Sequence, residues 1–103
     1  MAWLPTDIAA GDPGTRGPRG LRLGGRDLFV VHADGGWFAV EDRCSHAGCA
    51  FSEDGEVEGG QIVCNCHGSE FDPRTGEPVH GPATRPVRTF PTRVTGGVLE
   101  IEL

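Results

Sequence analysis

Four cysteines and two histidines lie between Cys44 and Phe71, and their spacing restricts this 103-residue chain more than any other feature. The pattern is Cys44-x-His46, seventeen residues, then Cys64-x-x-His67. A tight turn presents such a short Cys/His pair on one side, so two turns can bring both pairs to one metal centre. The residues between them then have to double back as a hairpin. Cys49 and Cys66, one in each loop, are left over as a third pair.

The rest of the chain predicts an all-β domain of small antiparallel sheets. Glycine (17) and proline (8) are abundant and only 37% of residues are hydrophobic, so the core is expected to be thin and the loops plentiful. A cluster or crosslink helps a core of that size, and the length suits one domain. Trp3, Leu4 and Pro5 suggest an edge strand within residues 1–8, followed by a loop without apolar residues over 11–20. Leu21 and Leu23 alternate with a polar residue before Gly24-Gly25, and Leu28 to Val31 is a continuous apolar run of buried-strand type. Asp34-Gly35-Gly36 reads as a hairpin turn into Trp37 to Val40. Further strands are expected at Glu56 to Glu58, Gln61 to Cys64 and Ser69 to Asp72, the last closed by a turn over Pro73 to Gly76. The proline-rich residues 76–86 look too broken for regular structure. Val87 to Val94 and the alternating Leu99, Ile101 and Leu103 form a closing hairpin around Gly96-Gly97. No 3.6-residue apolar pattern persists for ten residues.

The formal charge of −6, with nine arginines and no lysine, argues against nucleic acid, whose phosphates require clustered cations. No run of about 18 apolar residues exists to cross a membrane, and the first twenty-five residues hold no apolar leader core. A soluble, cytoplasmic protein is expected.

Two Cys and two His suit tetrahedral zinc, and they equally suit a two-iron cluster with thiolates on one iron and imidazoles on the other. Zinc fingers usually pair Cys with Cys and His with His. Here each loop supplies one of each, which suits two metals.

The arrangement resembles the Rieske iron-sulfur family over roughly residues 37 to 95. Its C-x-H and C-x-x-H ligand pairs are followed in order by HG at 67–68, FD at 71–72, TG at 75–76 and GP at 81–82. The resemblance implies a cluster-binding subdomain over about 42–83, inserted in a β base of about 1–41 and 84–103. It also implies a [2Fe-2S] cluster with Cys44 and Cys64 on the inner iron, and His46 and His67 on the outer. Cys49 and Cys66 match a disulfide that ties the cluster loops in the quinol-oxidising branch. Gly68 belongs to the second ligand loop, and Pro82 to a proline loop covering the cluster. Ser69 resembles a serine that donates to a cluster sulfide and raises the potential, whereas Phe71 replaces a tyrosine that would raise it further. An intermediate potential is expected, within the family's range of about −150 to +300 mV.

Function follows as an expectation. The chain resembles a stand-alone Rieske ferredoxin, a monomeric one-electron carrier without catalytic residues. It would link a flavin-dependent reductase to the terminal oxygenase of an aromatic-ring-hydroxylating system. The alternative is a Rieske subunit of a quinol-oxidising or molybdenum-enzyme complex, which the two cluster loops favour. A zinc-binding interaction module is more remote. His32 and His80 lack a partner at ligand spacing and read as ordinary strand or loop residues. Glu53, Asp54, Glu56 and Glu58 read first as a solvated hairpin and second as a steering surface for a partner.

Overall fold

The computed structural model describes residues 2–45 and 48–103. Its strands are β1 (Trp3–Ala9), β2 (Arg19–Leu23), β3 (Arg26–Ala33), β4 (Gly36–Glu41), β5 (Gly55–Glu58), β6 (Gln61–Cys64), β7 (Ser69–Phe71), β8 (Pro78–His80), β9 (Thr89–Phe90), β10 (Thr92–Thr95) and β11 (Val98–Glu102). One helical turn, α1 (Phe51–Asp54), precedes β5. The strands form three antiparallel sheets, ordered β1-β11-β10, β2-β3-β4-β9 and β5-β6-β7-β8.

The middle sheet serves two cores, because successive side chains on a strand point to opposite faces. Leu28 and Val30 of β3 pack with Ile8, Phe90, Leu99 and Ile101, joining the middle sheet to the β1-β11-β10 sheet. Phe29, Val31 and Ala33 pack with Val40, Phe51, Ile62 and Phe71, joining it to the third sheet. The unbroken apolar run in β3 is therefore the signature of burial on both faces.

The expected strands are present, with four differences. Residues 11–20 include a 3-10 turn at Pro13–Thr15, capped by the Asp12 carboxylate, and the start of β2 at Arg19. Phe51 to Asp54 make a helical turn because Phe51 is drawn into the second core, with its ring 5.7 Å from Phe29 and 5.6 Å from Phe71. The proline-rich stretch contains β8, which pairs with β7 through Glu70 and Phe71. Pro78 is tolerated because β8 is an edge strand. Finally, Val87 to Val94 is not one strand. Pro91 has no N–H to continue a ladder, so β9 pairs with β4 and β10 pairs with β11 in another sheet. On that last sheet Arg93 lies over Trp3 and bonds Glu100, holding its carboxyl below the usual carboxylate range.

The turn after β7 clamps the third sheet to the middle one. Arg74 ion-pairs with Asp34 and Asp72, and its guanidinium sits over Phe38. Gly76 donates to the Asp72 carbonyl and accepts from the Val87 N–H. Its φ is +78°, and a Cβ there would fall 2.1 Å from the Val87 carbonyl oxygen. Replacing Gly76 by Ala is expected to lower stability by at least about 2 kcal/mol through strain and collision. Denaturant unfolding of the purified variant checks this; an unchanged midpoint would remove Gly76 from the clamp.

Candidate metal centre

Two loops of the same design converge between the second and third sheets. In the first, the Cys44 N–H donates to the Cys49 carbonyl and the Gly48 N–H donates back to the Cys44 carbonyl at 2.9 Å. In the second, the Gly68 N–H donates to the Cys64 carbonyl, also at 2.9 Å. Gly48 and Gly68 have φ of +74° and +79°, a region that disfavours residues with a Cβ. Each loop is thus a cysteine closed by a left-handed glycine four residues on. Gly48 was not singled out from the sequence, although this Cys-x-x-x-Gly repeat was there to be read.

Cys44, leaving β4, and Cys64, ending β6, are both free and buried. Burial pushes the Cys64 thiol up, and the neighbouring Cys44 adds to that; N–H groups of Cys66 and His67 donate to the sulfur and oppose it. Two thiols facing one another in a dry site, with N–H groups already aimed at one sulfur, suit metal-bound thiolates. His67 is exposed on the loop that follows Cys64. His46 lies outside the described residues. A buried thiol pair behind an exposed imidazole fits a cluster with an inner thiolate iron and an outer histidine iron.

Cys49 and Cys66 form a disulfide that ties the loops together. Their sulfurs and that of Cys64 lie within 4.8 Å of one another, but bonded sulfurs do not act as thiolate ligands. This triad is therefore one candidate ligand beside a brace.

The segment after β8 lies against the second loop. Gly81 has φ +91°, and a Cβ there would be 2.7 Å from both the Gly68 oxygen and Ser69 Cα. Pro82 is exposed next to it. The Ala83 N–H donates to Ser69 Oγ at 3.2 Å, and Ser69 is fully buried. That bond uses an oxygen lone pair and leaves the hydroxyl proton to be donated. Phe71, the last residue of β7, is fully buried against Phe51 of α1. His32 stacks edge-on against Trp37 at 4.9 Å, and His80 is an exposed residue of β8, so neither joins the site. Glu53, Asp54, Glu56 and Glu58 are all exposed.

Comparison with known proteins agrees with this geometry. A family model described as the Rieske [2Fe-2S] domain matches residues 4–91, and the chain belongs to that family. The ferredoxin component of the p-cumate 2,3-dioxygenase system of Pseudomonas putida is 35% identical over 79 residues, covering 77% of this chain and 67% of that protein. The anthranilate 1,2-dioxygenase ferredoxin subunit of Burkholderia cepacia is 36% identical over 102 residues, covering 98% and 92%. A solved complex of reduced oxygenase and oxidized ferredoxin in carbazole 1,9a-dioxygenase contains a chain with a TM-score of 0.83 at 33% identity, covering 96% of this chain and 91% of that one. The protein is accordingly a [2Fe-2S] ferredoxin, an electron carrier and not itself the catalyst. Among the described residues no helix is long and apolar enough to cross a membrane.

The Cys49–Cys66 bond closes a loop of sequence separation 17, for which chain entropy alone predicts about 3 kcal/mol. A double Cys49→Ser, Cys66→Ser variant is expected to lose its cluster colour at lower denaturant concentration than the parent. Adding a strong thiol reductant should bring the parent toward the variant. Coincident bleaching curves would mean that the bond does not brace the loops.

Proposed function

We propose that this chain passes single electrons from a flavin-dependent reductase to the terminal oxygenase of an aromatic-ring-hydroxylating system in the cytoplasm. In this reading Cys44 and Cys64 hold the inner iron, and His46 and His67 hold the outer iron. The observation that carries it is the buried pair of free thiols behind the exposed His67. The cluster-binding unit spans about 42–83 on a base of about 1–41 and 84–103, and the carrier works as a monomer so that one tip meets two partners in turn. When bound, the cluster supplies one reversible electron. The chain's part is to hold the thiolates dry, to expose the imidazole edge, and to keep the loops from moving as charge changes.

Ser69 and Phe71 set the potential in opposite senses. The Ala83 N–H holds the Ser69 oxygen, so its proton is available to a cluster sulfur, which favours the more negative reduced state. Phe71 offers no proton and packs on Phe51 as an apolar wall. A Ser69→Ala variant is expected to have a lower midpoint potential than the parent, and Phe71→Tyr a higher one, in EPR-monitored redox titrations. Equal potentials for parent and Ser69→Ala would remove the serine from the site.

The function itself is tested by reconstitution. Purified ferredoxin, a flavin reductase with NADH and a terminal oxygenase should consume oxygen and hydroxylate an aromatic substrate, with activity lost when the ferredoxin is omitted. The disulfide and Ser69 also suit the quinol-oxidising or molybdenum-enzyme reading. Turnover independent of this chain, together with a clearly positive potential, would favour that alternative.

A further inference from the structure

Two arginines that the electron-carrying role leaves unused grip the first ligand loop from outside. A terminal nitrogen of Arg85 donates to the Ser45 carbonyl at 3.3 Å, and the Ser45 hydroxyl donates back to the Arg85 carbonyl at 2.6 Å. Arg43 lies over Gly48, with its Nε and a terminal nitrogen each 3.4 Å from where a Cβ would stand. Between them opens a surface cleft of about 490 Å³, lined chiefly by Glu41, Arg43, Cys44, Ser45, Gly48 and Arg85.

The charges in this cleft do not balance. Acids outnumber arginines fifteen to nine in the chain, and Arg22, Arg74 and Arg93 each have a carboxylate partner. Arg26 and Arg88 lie over Phe90, Arg19 bonds the Thr15 carbonyl, and Arg16 ends the Pro13–Thr15 turn. Arg43 and Arg85 have no carboxylate within 4 Å among the described residues, yet both line one cleft. The acid of the cleft, Glu41, is engaged with the Arg88 N–H at 3.2 Å. Two guanidinium groups sharing a cleft repel each other, and a carboxylate entering between them relieves that repulsion while using their fork geometry.

The cleft is open and Cys44 forms part of its wall, so a protein docked over the cluster loops would cover it. An open cleft suits a side chain delivered on a surface better than a small molecule that has to be enclosed. We propose that Arg43 and Arg85 receive an Asp or Glu carboxylate of the terminal oxygenase when the two proteins dock. This rests on the carrier reading above. The exposed acids Glu53, Asp54, Glu56 and Glu58 call for cations on the same partner. Two patches of opposite sign fix the rotation of a docked partner, which one sign alone does not.

The test is stopped-flow reoxidation of prereduced, cluster-loaded ferredoxin by the oxygenase of the reconstituted system, at several ionic strengths. Arg43→Gln and Arg85→Gln are each expected to slow the second-order rate about two- to fivefold at low salt, the worth of a partly exposed ion pair. Added salt should close that gap. Arg22→Gln, with the same change in net charge at a residue outside the cleft lining, should stay near the parent. Arg85→Lys keeps the charge and a donor to Ser45 and should recover the rate, whereas salt separates charge from loop support, because a slackened loop in Arg85→Gln would leave a deficit that added salt does not close. Visible spectra and unfolding midpoints check that the cluster and fold are intact. Parent-like rates in both glutamine variants overturn the cleft while the carrier reading stands. Failure of the parent itself to reduce the oxygenase overturns the carrier reading and the docking role together.

Discussion

Burial of β3 on both faces is the constraint on which the rest of the structure depends. Leu28 and Val30 anchor the β1-β11-β10 sheet, and Phe29 and Val31 anchor the β5-β6-β7-β8 sheet. A protein this small cannot build two independent cores from a sequence only 37% hydrophobic. Sharing one strand lets each core use side chains that the other cannot reach. The ligand loops inherit their rigidity from that arrangement, since Cys44 follows β4 and Cys64 ends β6, which packs on the same core.

The site has to satisfy two opposing demands. Thiolate-held iron needs a dry, fixed environment, whereas electron transfer needs the cluster edge close to a partner. The chain meets them by depth: Cys44, Cys64, Ser69 and Phe71 are buried, while His67, Gly68 and Pro82 are exposed. Exposed loops are ordinarily the most mobile parts of a fold. Here the glycine-closed turns, the Cys49–Cys66 bond and the Gly81 contact hold them. Preorganisation of this kind lets charge change by one electron with little rearrangement of the chain.

The ferredoxin relatives set this chain beside oxygenase systems, while its disulfide and Ser69 are features expected of the higher-potential branch. The two are physically compatible. In the function proposed above, the disulfide would act on loop stability, and the serine and Phe71 on potential in opposite directions. A braced loop does not by itself demand a high potential. Arginine usage follows a similar logic, with Arg74 and Arg85 spending their donors on holding loops as well as carrying charge.

Much of the site was legible before folding, because metal ligation demands particular atoms at short sequence spacing. The cysteines and His67 could be named from the order of residues, as could the strands ending in glycine turns, while the Cys49–Cys66 bond followed from the resemblance to the Rieske family. The helical turn at Phe51, the strand at β8 and the break at Pro91 were not, because each is decided by a partner distant in sequence: Phe29 and Phe71 for the first, Glu70 and Phe71 for the second, and two different sheets for the third. Arg43 and Arg85 carry no motif at all, and only folding puts residues 42 apart beside one loop. The sequence by itself determined the cluster chemistry and the all-β class, since these depend on ligand atoms and local backbone preference. Only the tertiary structure decided which surface surrounds the cluster, since that depends on contacts between segments that local preference does not encode.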